Sequence, residues 1–121
     1  MRHSLDLATL RAVSLERARY WHKGSIKGWS TMEWCAAMCG EAGEAANVAK
    51  KIKRLDDEIL STNNPVNRET AVKMLAKELA DTLIYLDLVA AREDIDLAKA
   101  VIDAFNQVSI REHMPQRLGE T

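Results

Sequence analysis

Leu5, Leu7, Leu10, Val13, Leu15 and Ala18 recur at helical spacing and predict a first helix from Ser4 to about His22, closed by Lys23-Gly24-Ser25. Asp6 suits the positive end of that helix dipole, and Arg17, Arg19 and Lys23 suit the negative end. Ser30-Thr31-Met32-Glu33 matches a capping box, so a second helix starts near Thr31 and runs without proline to about Leu55. Turn-forming residues from Asp56 to Asn67, including Asn63-Asn64-Pro65, predict a polar loop. A third helix follows Asn67 and reaches about Arg92. Asp94-Ile95-Asp96 breaks it, and Asp96 caps a fourth helix that reaches about His113. The expectation is an all-α four-helix bundle in one domain, 1–121, with its core over 4–113 and a loose tail over 114–121.

The faces of the second and third helices depart from a simple amphipathic pattern. At about 100° per residue, Trp34, Ala37, Met38, Ala45, Val48, Ile52 and Leu55 share one side of the second helix. Glu41 and Glu44 fall in the middle of that side, while Lys50, Lys53 and Arg54 lie opposite. On the third helix, Val72, Leu75, Ala76, Leu79, Leu83, Leu86 and Ala90 form an apolar stripe that predicts the core. A second face carries Met74, Tyr85 and Leu88 together with Glu78 and Asp81, leaving Lys73, Lys77 and Asp87 for solvent. An ionised carboxylate removed from water must be compensated. Two such pairs, each spaced i, i+3, fit a divalent cation that gathers several carboxylate oxygens. The absence of histidine at the Glu-x-x-His offset favours Mg²⁺, with Mn²⁺ as a substitute, over a redox metal. The simpler alternative is that these acids form salt bridges to Lys51, Lys77 or nearby arginines.

Composition narrows the class. With 121 residues the chain can bury one core. A hydrophobic fraction of 47% with five Gly and two Pro favours packed helices over disorder. Seventeen basic against eighteen acidic residues leave a net charge of −1, which gives no field for nucleic acid. No window approaches the roughly 20 apolar residues of a membrane span, and the start lacks an apolar signal core, so a cytoplasmic protein away from membranes is expected. Cys35 and Cys39 lie one helical turn apart, a geometry that seldom suits a disulfide, and are read as small buried thiols.

Gly40-Glu41-Ala42-Gly43-Glu44 followed by Glu78-Leu79-Ala80-Asp81 resembles the E-x-x-E and E-x-x-D motifs of the MazG-like all-α nucleotide pyrophosphohydrolases. The segments GEAGEAANVAKK and ELADTLIYLDLVAA look closest to the MazG and dCTP pyrophosphatase branches, and the resemblance spans about residues 29 to 112. It implies a four-helix bundle of the MazG-like type, assembled as a homodimer or homotetramer. It also implies Mg²⁺-dependent hydrolysis of (deoxy)nucleoside triphosphates to the monophosphate and pyrophosphate, in house-cleaning of the nucleotide pool. Glu41, Glu44, Glu78 and Asp81 would hold the metal, and Glu41 or Glu44 would act on the attacking water. A dUTP-specific or phosphoribosyl-ATP hydrolase of the same superfamily, or a helical interaction module without turnover, are the competing readings.

Trp29, in the loop before the second helix, and Trp34, in its first turns, are candidates to stack on a base. The DTLIYL segment implies a phosphate or sugar contact for Tyr85, and the same resemblance implies nucleotide contacts for Asn106 and Arg111. His3, His22 and His113 are scattered, so no catalytic histidine is assigned.

Overall fold

Where the sequence pattern predicts four helices, the chain folds into four. A computed structural model describes residues 3–21 and 24–119. Among these, α1 (Leu7–Trp21), α2 (Thr31–Asp56), α3 (Arg68–Arg92) and α4 (Leu97–Arg111) are joined by loops and one short 3-10 turn, Ile26–Gly28, with no strand. The all-α class is as expected. α1 is shorter than its periodicity implied, because the Asp6 carboxylate caps it by accepting from the Thr9 N–H at 2.7 Å. His22 and Lys23, expected at its end, lie outside the described residues. None of the described helices is long and apolar enough to cross a membrane.

The ends of the helices follow from local chemistry. The Ser30 hydroxyl accepts from the Glu33 N–H at 3.1 Å and donates to the Glu33 carboxylate at 3.2 Å. Asp96 caps α4 by accepting from the Lys99 N–H at 3.1 Å. Three C-termini close through a left-handed residue that is not glycine: Glu58 after α2, Asp94 after α3 and His113 after α4, with φ of 56°, 55° and 57°. In each, the next residue's N–H returns to a carbonyl of the last turn, as Ile95 does to Ala90 at 2.8 Å and Met114 to Ser109 at 2.8 Å.

The chain divides into two compact units, one of residues 1–28 with 90–121 and one of 29–89. In the first, α1 packs on α4. Small buried residues, Ser14 and Ala18 on α1 and Ser109 on α4, belong to these helices. The Arg11 guanidinium donates to the Ile95 carbonyl at 2.9 Å. Val13, one of the residues whose spacing predicts α1, is exposed, because the buried positions Ser14 and Ala18 set the inward face and Val13 lies about 100° from Ser14. Asn106 meets the tail at one point, donating to the Leu118 carbonyl at 3.0 Å and accepting from the Leu118 N–H at 2.8 Å.

The second unit holds the antiparallel hairpin of α2 with most of α3. Trp34 at the start of α2 meets Tyr85 late in α3, with ring centroids 6.1 Å apart. At the other end Asp56 accepts from Arg68 at 2.9 Å. On α2 the buried residues Trp34, Ala45 and Val48 lie on the predicted side.

α3 corrects the sequence reading. Of the stripe expected in the core, Val72, Ala76, Leu79 and Leu83 are exposed, Leu79 to 54%, Leu75 and Leu86 are half-buried, and Ala90 alone is buried. Ala71 and Leu88 are buried, and Leu75, Glu78, Thr82 and Tyr85 between them are half-buried. Both faces of α3 are apolar, so hydrophobicity alone does not choose between them. Asp87, expected in solvent, is 0% exposed. The reason is position along the helix: Asp87, Leu88, Ala90 and Ala91 are all buried, so the last turns keep no solvent sector.

Candidate functional site

Helix geometry brings three of the four predicted acids together. Glu41 and Glu44 stand one turn apart on α2, and Glu78 faces them from α3; one oxygen from each lies within 4.8 Å of the other two. Glu41 and Glu78 are half-buried, whereas Glu44 is exposed. The expectation that all four acids point into apolar surroundings therefore fails at Glu44. One turn before it stands Gly40, which has no side chain to cover it, and a Cβ built there would meet nothing within 4 Å.

Glu78 shows what the cluster costs electrostatically. Its Oε2 is shut off from solvent and has no hydrogen-bond partner. Burial pushes its carboxyl above the ordinary glutamate range, and hydrogen bonding and charge repulsion with Glu44 push it further in the same direction. Two carboxyls can bond to each other only by keeping a proton, so ionising both sets two like charges side by side.

Asp81 stands apart from the trio. It is half-buried and accepts from Lys77 Nζ, one turn earlier on α3, at 2.8 Å. The salt-bridge alternative thus holds for one of the four acids. No described cation forms a salt bridge with Glu41, Glu44 or Glu78. The group offers three hard carboxylate oxygens with no thiol or imidazole, a donor set that fits a hard divalent cation better than a softer metal. Cys35 is half-buried and Cys39 exposed, so the expectation of two buried thiols fails for Cys39, which lies towards the open side of α2.

Aromatic rings flank this hairpin. Trp29 is half-buried and its ring sits 4.6 Å from that of Trp34, which in turn meets Tyr85. Trp34 is 1% exposed, so its ring is a packed support and Trp29 is the member with surface to offer. Asn106 and Arg111 belong to the other unit. The Asn106 amide is engaged at both ends by Leu118, and Arg111 donates to Glu112 at 3.0 Å, so local partners already occupy both side chains.

No family model and no curated protein matches this chain.

The carboxylates were legible in the sequence because helical arithmetic assigns each to a face. The role of Lys77 was visible only as one alternative among several, since an i, i+4 lysine is common on any solvated helix. The Glu78 oxygen without a partner has no sequence signal, because it depends on how closely α2 and α3 approach.

Proposed function

We propose that the chain is a metal-dependent hydrolase of nucleoside triphosphates, of the MazG-like type, that releases the monophosphate and pyrophosphate. The observation that carries the reading is the convergence of Glu41, Glu44 and Glu78 from two helices with no salt-bridging cation among the described residues. In this reading Glu41, Glu44, Glu78 and Asp81 hold Mg²⁺, for which Mn²⁺ can substitute. The bound ion supplies neutralisation of negative charge on the phosphate oxygens.

The chain's own groups carry the remaining roles. Glu44, the exposed member of the trio, has room for a water on its outer side and is the carboxylate that orients it and accepts its proton. Glu41 is the second candidate for that role. Trp29, supported from behind by Trp34, offers a face for the base, and Tyr85 lies on the same helix as Glu78 and Asp81 to meet phosphate or sugar. The nucleotide half of the reading is supported by the ordered motifs GEAGE and ELAD. Deoxynucleotides of the cellular pool are the proposed substrates.

A homodimer or homotetramer belongs to the same proposal. The exposed apolar residues Val72, Leu79 and Leu83 on α3 support it, since a second copy would remove them from water.

The test is a panel of dNTPs assayed for pyrophosphate release at limiting Mg²⁺. Wild type is expected to turn over at least one of them, and Glu41→Gln and Asp81→Asn to lose at least 100-fold, on the order expected for removing a metal-holding group. Wild-type rates in either variant would remove that residue from the site.

A further inference from the structure

The Lys77–Asp81 pair sits at the edge of the carboxylate trio in a way that its neighbours on the same helix do not. Lys77 Nζ reaches Asp81 at 2.8 Å, with the lysine side chain 73% exposed and the aspartate 31%. The ammonium therefore stands at the solvent rim and reaches in to a half-buried carboxylate. One turn earlier, Lys73 approaches Glu69 at 3.5 Å, but both of those side chains are well exposed and Glu69 is not one of the three clustered acids. Lys77 also feels Glu78 and Glu41 in addition to Asp81, and all three favour its charged form.

Asp81 Oδ2 is engaged by Lys77, so that oxygen is open to an ion shared with Glu41, Glu44 and Glu78 only when it leaves the ammonium. We propose that Lys77 is a positioning residue that competes with the divalent cation for Asp81 and thereby sets how tightly the cluster binds it. This rests on the metal-holding role given to the four acids above. A ligand committed elsewhere part of the time lowers apparent affinity by the fraction of time it is free. The pair is also weak enough to exchange: i, i+4 pairs on exposed helix surfaces contribute little, and a lysine placed N-terminal to its acid is the less favourable order. Lys77 thus acts as a buffer, lowering affinity without blocking binding. Its positive charge also opposes an incoming dication through space, and the two effects separate in a double variant.

The experiment is a titration of the intact chain with Mn²⁺ alone, followed by loss of the free-ion electron paramagnetic resonance signal. Lys77→Met is expected to bind Mn²⁺ about three- to tenfold more tightly than wild type, the scale of one lost ion pair plus one lost repulsion at partly screened distances. Lys77→Arg, which keeps the charge and the reach, should restore wild-type affinity, and Lys73→Met should leave it unchanged. In an Asp81→Asn background the gain from Lys77→Met should shrink by more than half, since the competition then has no object.

Unchanged or weaker binding by Lys77→Met, beside a wild type that binds Mn²⁺, would overturn the competition and leave the metal site standing. A gain of full size in the Asp81→Asn background would also overturn it, because charge repulsion alone would then account for the effect. Absence of Mn²⁺ binding by wild type would instead overturn the metal reading on which the proposal rests.

Discussion

Glu78 is the residue at which the electrostatics of the site can be read most directly. Its folded carboxyl is held above the ordinary range by burial first and Glu44 second, so the folded chain binds that proton more tightly than the unfolded chain does. The sign follows: the contribution to stability is fully present below the unfolded value of about 4.3 and is lost as pH rises through the higher folded value. In chelator, the difference in melting temperature between wild type and Glu78→Gln should therefore move against wild type as pH is raised through that window. Added Mg²⁺ should reverse the trend, because the ionised carboxylate gains a partner. A difference that stays flat in chelator as pH is raised from below the unfolded value would contradict this account of Glu78. At the same scale, Gly43 lies inside α2 with open space where a Cβ would go. Gly43→Ala should raise the unfolding free energy by about 0.5–1 kcal/mol in urea titration, since helix propensity gains with no clash inside the chain.

At the scale of the helices, start and stop signals were the most legible part of the sequence. Ser30 and Asp96 cap where their side chains and positions predicted, and α2 and α3 span nearly the expected residues. What periodicity could not decide was which side of α3 turns inward. Val72, Leu79 and Leu83 are as apolar as the buried side, and the acids that looked anomalous in fact mark the inward face. Asp87 was misplaced for a related reason: a helical wheel assumes one environment along a helix, and in the last turns of α3 every position from Leu86 to Arg92 is buried or half-buried. The helix ends carry their own prediction. Glu58 and His113 hold left-handed conformations that glycine adopts without steric cost. His113→Gly should stabilise the chain by about 1 kcal/mol, the scale of the left-handed penalty for a residue with a Cβ, as read by chemical denaturation. A destabilised variant would mean that the histidine side chain contributes more than its backbone strain costs.

At the scale of the whole molecule, the two compact units divide the predicted site residues. Glu41, Glu44, Glu78, Asp81, Trp29, Trp34 and Tyr85 lie in the hairpin unit, and Asn106 and Arg111 in the unit built from both ends of the chain. Face arithmetic could find the first group because each member has a partner on the same or the facing helix. It gave no comparable signal for Asn106, whose contact with Leu118 joins α4 to the tail. The exposed apolar side of α3 bears on assembly. If copies of the chain cover it, Leu79→Lys should lower the mass measured by light scattering towards that of one 13.6 kDa chain and leave the helical circular dichroism intact. A wild type that is already monomeric would remove this face from the assembly.

The central claim is that carboxylates gathered from α2 and α3 drive hydrolysis of a nucleoside triphosphate with a divalent cation. Its most direct measurement is phosphorus NMR of dNTPs incubated with the purified chain and Mg²⁺, beside Glu78→Gln under the same conditions. The account predicts that wild type converts at least one dNTP into the monophosphate and pyrophosphate, that chelator stops it, and that Glu78→Gln fails to do it. Intact triphosphate throughout, or conversion to the diphosphate with orthophosphate, would contradict it.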